Sequence, residues 1–228
     1  MADYIRARSD EQKAERLAQV KAALEHQFAT RPYHEITLTT LADELGWSRT
    51  NLYKYVSTKE EIFLAVVGDK RDAFMGALMA ALPAGCGFDN ATIATVWAGI
   101  AAAHYDYFRY GDLLFSVIET NVGIDKLREF KRGYYEMLGP FSEQMAGVLH
   151  IAPERVEQFM NTIHFHGVGL AGSCLNNPLV KQAVTELGVT PPAIDFQADM
   201  RDFVAMMLEW YQQGQSHSRP GSSVKNCS

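Results

Sequence analysis

The sequence predicts an all-α protein in two parts, a small N-terminal three-helix bundle followed by a larger helical domain. Two observations carry this prediction. Apolar residues recur at three- and four-residue steps throughout the chain, and no segment shows the two-residue alternation that is typical of a strand. Capping signals and Gly/Pro breaks divide the chain into helices, and the strongest break is Pro83–Gly87.

Each helix of the first part follows a Ser or Thr that is suited to cap it. Ser9 opens a capping box, and Thr37, Ser48 and Ser57 stand before the next three apolar repeats. Gly46 follows the second repeat, where a helix is expected to stop. The predicted helices are 10–29, 38–45, 49–56 and 59–82.

The second part is predicted to contain five more helices, interrupted by Asn176-Asn177-Pro178. We expect a DNA-binding unit at 1–70, a ligand-binding and dimerisation domain at 71–213, and a polar, disordered tail at 214–228. Helix 59–82 would link the two domains. The five helices are predicted at 89–109, 113–121, 127–149, 153–175 and 193–213.

The composition excludes several classes of protein. A chain of 228 residues with 47% hydrophobic and 21% charged residues is neither disordered, nor collagen-like, nor a disulfide-stapled miniprotein. Its three cysteines lack the spacing of a zinc site or a disulfide framework, which favours a reducing, intracellular compartment. No apolar run is long enough to cross a membrane and no export signal is visible, so we expect a cytoplasmic protein.

The charge is unevenly distributed along the chain. The net charge is −6, yet the first 60 residues contain nine basic and nine acidic residues, so the whole excess of acid lies in the second part. This asymmetry predicts that the two parts have different partners. The neutral first part is the better candidate for nucleic acid.

The segment 38–56 has the plan of a helix-turn-helix motif, whose second helix enters the major groove of DNA. If Leu52 and Val56 face inward, the remaining side chains from Arg49 to Tyr55 are accessible. Arginine pairs with guanine and asparagine with adenine, while Thr, Lys and Tyr commonly hold phosphates. The alternative is an ordinary solvated helix in a helical bundle without DNA binding.

The stretch ITLTTLADELGWSRTNLYKYVSTKEEIFLAVV resembles the helix-turn-helix signature of the TetR family of transcriptional regulators. It departs from the family pattern at Trp47, usually Val, and at Val56, usually Phe. The resemblance implies that Thr37, Tyr53 and Lys59 hold phosphates and that Arg49, Thr50, Asn51 and Tyr55 face bases. The full DNA-binding set that we predict is Thr37, Ser48, Arg49, Thr50, Asn51, Tyr53, Lys54, Tyr55 and Lys59.

Aromatic residues are concentrated in the second part, and most of them are expected to form its core. Some are candidates for a small-molecule pocket, because such pockets combine apolar walls with a few polar groups. A His and a Glu among rings would favour an aromatic or cationic effector; alternatively, His104 and Glu119 satisfy each other or water. The candidate pocket residues are Trp97, His104, Phe108, Glu119, Tyr134, His164 and Phe165.

Gly167, Gly169 and Gly172 form a GxGxxG pattern, the fingerprint of a dinucleotide site. A helix rather than a strand precedes it, so close helix packing is the preferred interpretation. In the resembling family the last two long helices form a dimeric four-helix bundle, which makes 153–175 and 193–213 the candidates here. The predicted dimer residues are Gly167, Gly169, Gly172, Phe203, Met206, Met207 and Trp210.

No catalytic motif is present, and His164 and His166 are spaced two apart, so a helix would point them in different directions. We therefore expect neither a metal nor a cofactor. The sequence predicts a homodimeric, ligand-responsive transcriptional regulator, a repressor that binds double-stranded operator DNA and is released by a small molecule. The alternatives are an all-α interaction module without DNA binding and, less favoured, a small enzyme.

Overall fold

The computed structural model describes residues 2–172, 178–190 and 193–213, and side chains from residue 11 onward except that of residue 178. Within these ranges every regular element is a helix, which confirms the all-α prediction. Predictions that fall on 173–177 and on the tail 214–228 lie outside the described residues.

Ten α-helices are described, together with a 3-10 helix, Tyr33–Glu35, and a π-helix, Leu114–Ile118. The α-helices are α1 (Ala2–Thr30), α2 (Leu38–Leu45), α3 (Arg49–Leu52), α4 (Lys59–Ala81), α5 (Asn90–Ala103), α6 (Tyr105–Leu113), α7 (Ile124–Leu149), α8 (Pro153–Ala171), α9 (Pro178–Glu186) and α10 (Phe196–Gln213).

Two N-terminal boundaries differ from the prediction. Helix α1 begins at Ala2 instead of residue 10, so the chain stays helical before the capping box at Ser9. Helix α3 ends at Leu52 instead of 56. There the backbone tightens, because Lys54 N donates to Asn51 O and Tyr55 N donates to Leu52 O, which are three-residue steps.

Further differences lie in the second part. The predicted helix 89–109 is interrupted at His104, whose backbone leaves the helical region with φ −108° and ψ 33°. The short helix predicted at 113–121 is a π-helix in which Glu119 N donates to Leu114 O. Helix α9 was not predicted, because Pro178 was interpreted as the end of a helix. Proline is equally well suited to the first turn of a helix, and α9 begins at Pro178.

The chain forms two compact units. Unit 1 comprises Met1–Asp72 and Tyr110–Tyr135, and unit 2 comprises Ala73–Arg109 and Glu136–Ser228. The core of unit 1 contains side chains from α1, α2, α3 and α4 together with Tyr110, Leu114 and Ile118. Helix α3 contributes Leu52 to this core, which is how such a short helix is held in place.

Unit 2 has its own apolar core. Trp97, Phe108, Phe141, Phe159 and Tyr211 are among its largest fully buried side chains. Trp97 meets Phe159 edge-on, with ring centres 5.5 Å apart. Burial of these rings, together with the aliphatic side chains of the same core, stabilises the unit.

Candidate nucleic-acid interface

Helix α2 begins with a reciprocal cap. The Thr37 hydroxyl accepts from Thr40 N at 3.1 Å, and the Thr40 hydroxyl accepts from Thr37 N at 3.0 Å. Two of the free N–H groups at this helix start are thereby satisfied. Thr37 itself is exposed, which leaves it on the surface where the resemblance implies a phosphate.

The turn between α2 and α3 depends on Gly46. Its φ of +66° lies in the left-handed region that favours glycine, and its N–H returns to α2 through the Asp43 carbonyl at 3.1 Å. Ser48 then caps α3, because its hydroxyl accepts from Asn51 N at 3.2 Å. The turn chemistry thus sets the direction in which α3 leaves the turn.

The residues predicted to read DNA lie on the outer side of α3. Arg49 and Thr50 are exposed, Asn51 is half-buried and Tyr53 is 50% exposed, while Leu52 is buried. Arg49 lies 3.5 Å from the Tyr53 hydroxyl, one helical turn away. The structure therefore brings these side chains together on one surface, with donors suited to base edges and phosphates.

Tyr55 is less available than the other predicted residues. It is half-buried, and its ring packs at 5.7 Å and 45° against the ring of Trp47. The bulky residue at position 47 therefore contacts the segment that follows α3. Lys54, by contrast, is exposed.

The Lys59 side chain makes its hydrogen bonds within unit 1. Its ammonium donates to Tyr33 O at 2.9 Å and to Ile36 O at 2.8 Å, and it lies 3.7 Å from the centre of the Tyr33 ring. Burial lowers the pKa of this ammonium, and the neighbouring Glu60 carboxylate opposes that shift. Much of the hydrogen-bonding capacity that would serve a phosphate is therefore used by the protein.

Sequence reasoning missed Gln27, which fastens α1 to α2. Its side chain is only 3% exposed, donates to Thr40 O and Glu44, and accepts from the Thr40 hydroxyl. A buried amide is stable only when its groups find partners. A glutamine on the apolar stripe of α1, between Leu24 and Phe28, is the signal that could have identified it.

The predicted pocket residues are divided between the two units. Glu119 and Tyr134 belong to unit 1, where Glu119 pairs with Lys131. Trp97, His104 and Phe108 belong to unit 2, as do His164 and Phe165. In unit 2, His164 packs 4.7 Å from Tyr107 and 5.8 Å from Phe108, between ring centres. Trp97 is a fully buried core residue, while Phe165 is exposed.

Three buried polar atoms of unit 2 have no hydrogen-bond partner among the described residues. They are Nε1 of Trp97, Nδ1 of His164 and Nε2 of His166. Burial lowers the pKa of His164 to about 4, so its imidazole is neutral at pH 7. A neutral imidazole both donates and accepts, so it is a versatile partner for a polar ligand group.

The predicted dimer residues differ in their surroundings. Met206 and Trp210 are 53% and 50% exposed and stand four apart on α10, so they share a face. Gly169 is exposed with open space around it. Gly167 is instead buried, and a Cβ there would lie 2.4 Å from the Phe108 ring of the same unit. Phe203 stacks on His166 at 3.7 Å.

The described residues contain neither a membrane-spanning helix nor a metal-binding cluster. No helix there is long and apolar enough to cross a membrane. No cluster of three His, Cys, Asp or Glu side chains suited to a metal ion was found in the same ranges.

Comparison with protein families assigns both parts of the chain. Residues 20–66 match the family described as "Bacterial regulatory proteins, tetR family". Residues 69–214 match "Tetracyclin repressor-like, C-terminal domain". Comparison with curated protein sequences finds no significant match.

Solved structures of low sequence identity are also similar. A tetR-family regulatory protein from Rhodococcus RHA1 aligns at 15% identity with a TM-score of 0.54, covering 86% of this chain and 96% of that one. The fatty acid degradation regulator FadR from Bacillus halodurans aligns at 14% identity and a TM-score of 0.49, covering 84% and 93%. At this identity the first of these supports the fold alone.

The helix-turn-helix geometry and the two family matches agree, and together the matches span nearly all described residues. The chain belongs to the TetR family and is a DNA-binding transcriptional regulator.

Proposed function

We propose that this regulator is a homodimeric repressor that reads its operator with α3 and is released by a small molecule bound in unit 2. The observation that carries the proposal is the outer face of α3, where Arg49 and Thr50 are exposed and Asn51 is half-buried, beside the exposed Tyr53. The protein would act in the cytoplasm, as a regulator rather than as an enzyme.

Dimerisation is needed for operator recognition. Two recognition helices must reach successive major grooves, about 34–36 Å apart or a multiple of that distance. The exposed Met206 and Trp210 on α10 and the open surface at Gly169 on α8 support an interface formed by these two helices. Gly167 is left out of the proposed interface because Phe108 occupies the space beside it.

The unsatisfied polar atoms of unit 2 support a ligand site in that unit. His164 is buried among aromatic rings, and its Nδ1 has no partner in the described part of the chain. An aromatic small molecule with one polar group would stack on these rings and satisfy the imidazole. A cation is less suited to this site, because the desolvation that lowers the pKa of His164 would also penalise the charge of a bound ligand.

Helix α6 could connect ligand binding in unit 2 to the operator affinity of unit 1. It contributes Phe108 to the core of unit 2, and Tyr110, two residues later, to the core of unit 1. Tyr110 packs on Phe28 at 4.7 Å and on Phe63 at 6.0 Å, on helices α1 and α4. A ligand that displaces Phe108 would therefore shift the balance between states of unit 1 with different operator affinity.

The DNA-binding part of the proposal is tested with the DNA that flanks the protein's own gene. Binding is measured at two salt concentrations against a random fragment of the same length. We expect the flanking DNA to bind more tightly at both concentrations, and the advantage to persist as salt rises because base contacts do not depend on counterion release. Equal affinity for both fragments would contradict operator recognition at that locus.

The effector site is tested by screening aromatic small molecules, neutral and cationic, for release of the protein from that DNA. A compound that releases the wild-type protein is then assayed on His164→Phe and on the double variant His104→Ala/Glu119→Ala. We expect His164→Phe to lose the response while binding DNA normally without the compound. Loss of the response only in the double variant would contradict an effector site at His164.

A further inference from the structure

A surface cleft of about 640 Å³ lies beside the end of α3, entirely within unit 1. One wall is a single face of α1, and the other is formed by Lys54 and Tyr55, just after α3. We refer to it as the α1 cleft. Its lining residues are Gln12, Lys13, Glu15, Arg16, Gln19, Lys54 and Tyr55.

The α1 cleft is basic. Its lining contains three cations, Lys13, Arg16 and Lys54, and a single carboxylate, that of Glu15, and all four side chains are exposed. Among the side chains that the structure describes, none of these three cations has a carboxylate within ion-pair distance. Gln12 and Gln19 add amide donors to the same surface. Three cations without a carboxylate partner among the described side chains, together with two amides, form a surface suited to an anion.

Arg16 is held in position by the ring of Trp47, the residue that departs from the family pattern. The Arg16 guanidinium lies 5.1 Å from the centre of the Trp47 ring, and one of its nitrogens donates to Gln19 at 3.1 Å. Trp47 in turn packs on Tyr55, which lines the cleft. The cation–π contact and the hydrogen bond to Gln19 restrain the guanidinium, and its other N–H groups are available to an anion.

This position determines the partner. The cleft adjoins the C-terminal end of α3, and a helix in the major groove is flanked by sugar-phosphate backbone on both sides. We infer that the α1 cleft binds the operator backbone, with Arg16, positioned by Trp47, and Lys13 and Lys54 each holding a phosphate beside the groove that α3 reads. The inference rests on the proposed recognition surface of α3 and adds α1 to it.

The test measures the salt dependence of binding to operator and random DNA for Arg16→Ala and Lys13→Ala. Each lost phosphate contact lowers the slope of log K against log salt by about 0.9. We expect a loss of about that size for each variant, on both DNAs alike, because phosphate contacts position the protein without reading sequence. Lys181→Ala, which removes an exposed cation from α9, is the control for net charge and should leave the slope unchanged.

A second pair of variants separates the position of the Arg16 guanidinium from its charge. Trp47→Val keeps every cation but removes the ring under Arg16, so binding to both DNAs should weaken, whereas Trp47→Phe should retain most of the affinity. Melting temperatures identify any variant that has lost its fold. Unchanged slopes for Arg16→Ala and Lys13→Ala in a protein that still prefers its operator would overturn the α1 contact without touching recognition by α3. Normal binding by Trp47→Val would overturn the positioning role of Trp47.

Discussion

At the scale of single residues, two side chains in unit 1 show how polar groups fasten a DNA-binding unit from within. Lys59 donates to the Tyr33 and Ile36 carbonyls, which lie in and directly after the 3-10 helix Tyr33–Glu35. Gln27 makes the corresponding connection from α1 to α2. Neither arrangement follows from helical periodicity, because a pattern of apolar residues carries no information on which carbonyl a polar side chain meets.

Lys59→Ala should destabilise unit 1, because two backbone carbonyls lose their donor. We expect a loss of about 1–3 kcal/mol in the free energy of unfolding. The salt slope of DNA binding should stay within error of the wild type. A slope reduced by about one, with unfolding unchanged, would instead establish the phosphate contact that the resemblance implies.

Gln27→Leu should also destabilise unit 1, since it leaves the Thr40 carbonyl and hydroxyl without their buried partner. Denaturant unfolding should show a loss of about 1–3 kcal/mol. Gln158→Leu, at an exposed position on α8, is the matched control and should change the stability by less than about 0.5 kcal/mol. Equal stabilities for the two variants would show that the Gln27 bonds contribute nothing net.

At the scale of elements, the helix-turn-helix was predictable because its turn chemistry is local. Thr37, Gly46 and Ser48 act where the sequence placed them. The π-helix at 114–118 and the break at His104 were not predictable, because they interrupt the helical pattern without a Pro at either place. Helix α9 was missed for the opposite reason, since its proline begins a helix instead of ending one.

Gly46→Ala should destabilise the turn between α2 and α3. A Cβ at this position meets no atom within 4 Å, so the cost comes only from the φ of +66° and should be about 1–2 kcal/mol. Gly76→Ala, in the interior of α4 with equally open space, is the control and should stabilise by up to about 1 kcal/mol. Changes of the same sign in both variants would contradict the backbone explanation.

At the scale of the whole molecule, the sequence predicted two parts but did not indicate that residues 110–135 belong to unit 1. Residues 110–135 pack with the N-terminal helices, although they follow the first helices of unit 2 in the chain. Long-range packing of this kind depends on complementary surfaces, such as Tyr110 between Phe28 and Phe63, which no single segment reveals. The same limit applies to the pocket residues, whose burial depends on neighbours far away in sequence.

The proposed dimer depends on the apolar face of α10. Trp210→Glu should give a monomer in sedimentation at micromolar concentration, because a charge would be buried in the interface. Arg201→Ala, an exposed residue of the same helix, should remain a dimer. A Trp210→Glu dimer with an unchanged sedimentation coefficient would require an interface on other helices.

Stability should depend on pH through His164. Its pKa of about 4 in the folded state lies below the usual 6.5, so the unfolded chain binds the proton more readily. The stabilising effect of a neutral His164 is therefore fully present above pH 6.5 and is lost as pH falls towards 4. His164→Phe should gain stability relative to the wild type over this window, by at most about 1.4 kcal/mol per pH unit. A constant difference between the two proteins would contradict the assigned pKa.

The central claim is that α3 reads base edges, and Arg49→Ala and Asn51→Ala test it most directly. Affinity is measured for the preferred operator and for random DNA at one salt concentration, with Lys54→Ala as the phosphate-contact control. We predict that each of the first two variants loses about 1–3 kcal/mol on the operator and far less on random DNA, while Lys54→Ala weakens both alike. Equal losses on the two DNAs for Arg49→Ala and Asn51→Ala would contradict the assignment of α3 as the recognition helix.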